Sequence, residues 1–237
     1  MKKLTTYFKS RAFGFVAIAM GLLGFVAAGS LIFTFESHLS PSGGSSMPEG
    51  FSGWNYIAYF TVLTNIVVDV WLIFFGVCRL AGAKEMEEKI THPLLMGGLT
   101  LSIFIVGFLY YSVLFWVIGL YPWSLWWGNL ADIWHHAVMP IFITVLWLCP
   151  MDNRKADKKK LWLWLIYPLA YFAVSMIRGI FIEWYPYPFL DPNDQMLLNL
   201  PIHPYISIAV VVAALTGMFY GFGRLAMGLR NRTVAKQ

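Results

Sequence analysis

Residues 131–148 read ADIWHHAVMPIFITVLWL. From Ala137 on, the stretch is apolar enough to dissolve in lipid, yet its first turns carry Asp132, His135 and His136. Ionisable side chains are costly in a span, where they face the bundle interior, pair with other polar groups and mark function. Reading outward, the run extends to about 130–149, the roughly twenty residues that cross a hydrocarbon core of ~30 Å. Similar runs recur at about 13–35, 55–78, 94–119, 161–182 and 204–226. They are hydrophobic on all sides and too long for barrel strands, and a span must satisfy its own backbone, so each is expected to be a helix. The expected fold is an all-α membrane protein, a single transmembrane domain over 1–237 built as a six-helix bundle.

Composition agrees. Of 237 residues, 59% are hydrophobic and 12% charged, against about 25% charged in an ordinary soluble domain. Orientation follows from lysine and arginine. Basic residues crowd the N-terminal tail (Lys2, Lys3, Lys9, Arg11), the second connection (Arg79, Lys84, Lys89), the fourth (Arg154, Lys155, Lys158, Lys159, Lys160) and the C-terminal end (Arg224, Arg230, Arg232, Lys236). Of the seventeen, only Arg178 lies elsewhere, so both termini are expected in the cytoplasm. The net charge of +5 is then a topology signal and a contact for anionic lipid heads; no nucleic-acid motif accompanies it. The basic start, apolar run and "AAGS" imitate a signal peptide, read here as an uncleaved first span. Cys78 and Cys149 fall at cytoplasmic helix ends, where a disulfide is not expected. There is no Walker, dinucleotide-binding or GxSxG pattern, and no cofactor is expected.

Counted from the outer ends of the spans at ~1.5 Å per residue, Thr61 lies roughly 9 Å inside and His135 and His136 roughly 7–9 Å. Arg178 reaches a similar level from the fifth span. On the second span Thr61, Thr64, Asn65 and Asp69 recur at three- and four-residue steps and share a face. Asp132 precedes His135 by three residues and His136 by four, so its carboxylate can orient either ring. Each residue also has a purely structural reading. Threonines bond carbonyls one turn back, Asn65 can join helices, Arg178 can pair with Glu183, and the aromatics of "YPWSLWW" and "EWYPYPF" suit an interfacial belt. Their alignment at one depth favours a site.

The stretches "YFTVLTN" (59–65), "WHHAVMP" (134–140), "YPLAYFAVSMIRG" (167–179) and "YPYPFLD" (185–191) resemble the androgen-induced-gene type of integral membrane proteins, especially their bacterial relatives. The resemblance runs from the second span to the last. It implies six spans, a bacterial inner (plasma) membrane, and an atypical threonine hydrolase that cleaves fatty acid esters of hydroxy fatty acids. Membrane lipids and a lipid ester are the implied partners. The family threonine, after a large hydrophobic residue early in the second span, falls on Thr61. The family histidine, five residues before a helix proline, falls on His135 ahead of Pro140. His136, one residue nearer that proline, and Thr64, one turn deeper, stay open as alternatives. Imidazole is the usual base for a hydroxyl nucleophile. Asp132 would orient the base, and Asn65, Arg178 or Tyr187 would donate to an oxyanion.

Two other readings remain. His38, His135, His136 and His203 with Asp132 offer a zinc set for metal-dependent lipid hydrolysis, though no His-x-x-x-His pair is present. Alternatively, Asp69, Asp132 and the histidines form the relay of a proton-coupled transporter, though repeats of the kind transporters show are not evident.

Overall fold

The computed structural model describes residues 2–37, 53–118, 126–194 and 199–236, and these contain helices and no strand. Six helices are long and apolar enough to cross a membrane: Ala12–Thr34, Phe60–Ala81, Pro93–Leu114, Trp126–Leu148, Lys158–Ile182 and Pro204–Val234. They are called the first to sixth spans below. The inside-out pattern fits a hydrocarbon surround. Phe15, Phe33, Ile141, Ile180 and Phe181 stand exposed, whereas Asn65, Asp69, Asp132, His135 and His136 are buried. The chain is thus a multi-pass membrane protein by its helices and its polarity.

Several boundaries differ from the sequence expectation, with consequences for the site. The second span opens at Phe60, because Gly53–Ala58 forms a separate 3-10 turn and Tyr59 is extended (φ −70, ψ 135). Thr61 is therefore the second residue of its helix, not several residues inside it. The fourth span opens at Trp126, four residues early, which sets His135 deeper along its own helix. The equal-depth estimate for Thr61 and the histidines is corrected accordingly; it counted from the wrong starting residues. The fifth span begins in 3-10 form over Lys158–Leu165, and the sixth continues to Val234.

The first two spans pack most closely, through small residues. A Cβ at Gly76 would lie 2.5 Å from the Gly14 carbonyl oxygen, and one at Gly21 2.6 Å from the Asp69 carbonyl. Close backbone approach of this kind is how helices associate in lipid, where no hydrophobic force draws them together. The third and fourth spans meet where Gly107 faces the His136 carbonyl and Pro140. Phe13, Leu72, Phe75, Met139, Ile143, Leu146 and Trp147 fill the centre.

Two helices carry a π-turn, Tyr110–Leu114 in the third span and Trp134–Val138 in the fourth. Such turns occur often at functional sites. Here the two face one another, with the Tyr110 and His136 rings stacked at 3.7 Å.

The opposite end of the bundle is held by arginines. Arg79 forms a two-point pair with Glu87 at 2.7 and 2.5 Å. Asp152 takes Arg154 on one oxygen and Arg230 on the other. Asn231 closes the same loop by bonding both backbone groups of Ala156.

Candidate functional site

An apolar cavity of about 260 Å³ opens at the end of the bundle away from those arginines. Its walls come from the second span (Phe60, Thr61), the third (Ile105, Val106, Leu109), the connection after the fifth (Tyr187, Phe189) and the sixth (Val211, Leu215, Phe219). Among the lining residues only Thr61 and Tyr187 carry a polar side-chain group. The two are joined.

The junction follows from how the second span starts. The first N–H groups of a helix have no partner within it, and Tyr59, at the N-cap, supplies no side-chain acceptor. The Tyr187 oxygen does so from the connection after the neighbouring fifth span, meeting the N–H groups of Phe60 and Thr61 and the Thr61 hydroxyl. Tyr171 also touches the Tyr187 hydroxyl and donates to Ala58 O at 2.8 Å. Burial is the main influence on Tyr187, outweighing these hydrogen bonds and pushing its phenol above the usual range. It stays neutral at physiological pH. The Tyr187 ring is braced by Tyr59 edge-on at 5.4 Å and by Phe189 stacked at 5.1 Å.

The other polar residues of the second span serve different neighbours. Thr64 shares a 2.9 Å hydrogen bond with the Tyr167 hydroxyl and does not line the cavity. Asn65 donates through Nδ2 to Thr61 O at 2.9 Å and to His135 O at 3.4 Å, so one amide links the two backbones. Arg178 donates to Asn55 Oδ1 at 2.7 Å and lies over the Trp184 ring, bracing the turn before the second span rather than the cavity. It is not brought to Thr61.

The histidines turn elsewhere too. His135 is fully buried, with Nε2 3.3 Å from the Gly24 carbonyl on the first span. His136 Nδ1 lies 2.9 Å from Asp132 O and 3.1 Å from Asp132 Oδ1. Tyr110 donates to the other Asp132 oxygen. Asp132 therefore orients His136, not His135. The third span stands between this cluster and the cavity, because Ile105, Val106 and Leu109 line the cavity while Gly107 points back at His136 O, as 100° per residue requires. The structure thus joins Thr61 to Tyr187, and Asp132 to His136. It does not place either imidazole on the Thr61 hydroxyl.

Of the residues in the zinc reading, His38 lies outside the described residues, and His203 is exposed beside Tyr205 at 5.7 Å. Among the described residues no three His, Cys, Asp or Glu side chains come together as ligands. Sequence reasoning missed Tyr110, Tyr167 and Gly24. The two tyrosines carried a signal, since each puts a hydroxyl into an apolar run; Gly24 carried none until the Asp69 side chain was found against it. Comparison with family models, with curated proteins and with solved structures returned no match.

Proposed function

We propose that this chain is an integral membrane hydrolase of lipid esters, of the fatty acid ester of hydroxy fatty acid kind, with Thr61 as its nucleophile. The observation that carries the reading is the cavity itself. Its lining is apolar except for Thr61 and Tyr187, and Thr61 sets an aliphatic hydroxyl at the start of a helix. An acyl chain would lie along Val106, Leu109, Val211 and Leu215, with its ester carbonyl at Thr61.

The helix start supplies the electrostatics. Backbone N–H groups at a helix N-terminus favour negative charge, and those of Phe60 and Thr61 converge where the Tyr187 oxygen now sits. That oxygen stands in for a substrate oxyanion. Tyr187, kept neutral by burial, is also a donor in its own right. Thr61 Oγ1 adds to the carbonyl carbon, its proton passes to a base, and the alcohol leaves carrying a proton. Water then releases the fatty acid and regenerates the hydroxyl.

His135 is the proposed base. Its backbone shares the Asn65 amide with Thr61, and since its ring bonds Gly24 O this role requires the imidazole to turn from Gly24 toward Thr61 during the cycle. His136, held by Asp132 and stacked on Tyr110, supports that turn of helix and is not the base. Both termini and the arginine end would face the cytoplasm, with the cavity in the outer leaflet of a bacterial inner membrane.

The test is labelling with a fluorophosphonate probe, followed by mapping of the modified residue and hydrolysis of a lipid ester. Thr61 should be the labelled site, Thr61→Ala should abolish labelling, and Thr61→Ser should retain part of it. Thr64→Ala should label normally. Labelling that survives Thr61→Ala in a folded protein would sink the reading.

A further inference from the structure

The second span carries one acidic residue, Asp69, and nothing in the cavity uses it. It is fully buried, and neither carboxylate oxygen has a hydrogen-bond partner. One turn before it, Asn65 spends its amide hydrogens on Thr61 O and His135 O, and its Oδ1, also fully buried, is unpartnered. Across from both is His135. A ring nitrogen facing a carbonyl can only donate, so Nε2, 3.3 Å from Gly24 O, carries the hydrogen. In a neutral imidazole Nδ1 is then a bare acceptor, and it too is buried without a partner.

Two of these side chains meet at Gly24, and the third is tied to them through the His135 backbone. A Cβ on that residue would fall on the Asp69 carboxylate, the His135 ring bonds its carbonyl, and Asn65 bridges to the His135 backbone. Asp69, Asn65 and His135 thus each hold a buried acceptor atom that has no donor, with one formal negative charge among them. An unpaired buried carboxylate is too costly to persist as such. The surroundings offer no counter-ion: the first span has no charged residue between Arg11 and Glu36, and the third has none between Lys89 and Asp132. On the fourth span, the groups facing this way are His135 itself and, behind it, His136 paired with Asp132.

We propose that Asp69, Asn65 and His135 form a buried binding site for one small monovalent cation, a proton or a sodium ion, whose charge neutralises Asp69. Gly24 is part of the site because any larger residue would occupy the space of the carboxylate. The three oxygens of the set, two from the carboxylate and one from the amide, suit a hard ion, and the imidazole nitrogen suits a proton. As a proton site, Asp69 becomes a neutral acid and supplies the donor that the two other acceptors lack. This inference is independent of the hydrolase reading, since it uses the rotamer in which His135 bonds Gly24 and makes no appeal to ester cleavage.

The experiment uses full-length protein, purified in detergent. Infrared spectra at neutral pH are compared for the wild type, Asp69→Asn and Asp132→Asn, and thermal unfolding at alkaline pH is compared in sodium chloride and choline chloride. A protonated-carboxyl band present in the wild type and in Asp132→Asn, and missing from Asp69→Asn, supports the site with a proton in it. A sodium-dependent rise in unfolding temperature, lost in Asp69→Asn, supports the site with sodium in it. If the wild type shows neither the band nor the sodium response, the proposal is overturned. It is also overturned if band or response persists unchanged in Asp69→Asn. Gly24→Ala, which leaves every ionisable group in place, is the second variant should Asp69→Asn not fold; it should shift the band or weaken the sodium response at least severalfold, and an unchanged signal would count against the site.

Discussion

At Tyr187 a single hydroxyl has three duties: capping a helix, holding Thr61 and standing where an oxyanion would sit. Loss of a helix cap costs roughly 0.5–2 kcal/mol, so Tyr187→Phe should lower the unfolding temperature while leaving the helices intact by circular dichroism. The pH dependence has a definite sign. Burial raises the phenol above its ordinary value of 10.0 in the folded chain, so the folded state holds the proton more tightly than the unfolded state. The contribution is fully present below about pH 10, the unfolded value, and is lost as pH rises above it. Thermal melts between pH 7 and pH 9 should not register this tyrosine; an alkaline fall that is shallower in Tyr187→Phe is the expected mark. The sequence showed Thr61 and Tyr187 as site candidates through short motifs, and it showed the burial cost of Asp132 and His135. It could not show which way the imidazoles turn. That depends on a π-turn at Trp134–Val138 and on a glycine in another helix, neither of which has a local signature.

The same limit recurs among the helices. Six apolar runs gave six spans, because length and all-round hydrophobicity are read directly from composition. Their starting residues were less legible. An extended Tyr59 and a 3-10 turn before it shortened the second span at its N-terminal end, and this put Thr61 at a helix terminus rather than several residues inside. The glycines of the first two spans give a sharper test of packing. Gly76→Ala would press a methyl onto the Gly14 backbone carbonyl, which cannot rotate away, and overpacking of this kind costs about 1–3 kcal/mol. Gly29, on the exposed side of the first span, has open space around its Cβ position. There Gly29→Ala should be neutral, or stabilise by up to ~1 kcal/mol through helix propensity. Thermal unfolding of the pair in detergent separates the two effects. Equal behaviour of both variants would mean that the first two spans do not approach at Gly14 and Gly76.

Over the whole molecule the two ends are specialised differently. One end holds the cavity and its aromatic connection. The other is a clamp in which the last helix, the loop at 150–157 and the end of the fourth span are locked by Arg230, with its side chain only 1% exposed. Its guanidinium meets Asp152 at 2.9 Å and lies over the Trp147 ring at 4.5 Å. Asp152→Asn removes the one carboxylate facing that buried charge, and breaking a buried pair on one side costs about 3–5 kcal/mol. Arg154, which is one-third exposed, should cost less when replaced by alanine, because solvent can screen what remains. Adding Arg230→Met to Asp152→Asn should recover part of the loss, since the uncompensated charge is then gone. The measurement is thermal unfolding together with protease cleavage in the loop at 150–157, which should appear early in Asp152→Asn and recede in the double variant. Below its unfolding temperature Asp152→Asn should still be labelled at Thr61, because the clamp and the cavity lie at opposite ends of the helices. A double variant no more stable than Asp152→Asn alone would show that the aspartate holds the loop through Arg154, and that the last helix is fastened mainly by Asn231 and Trp147.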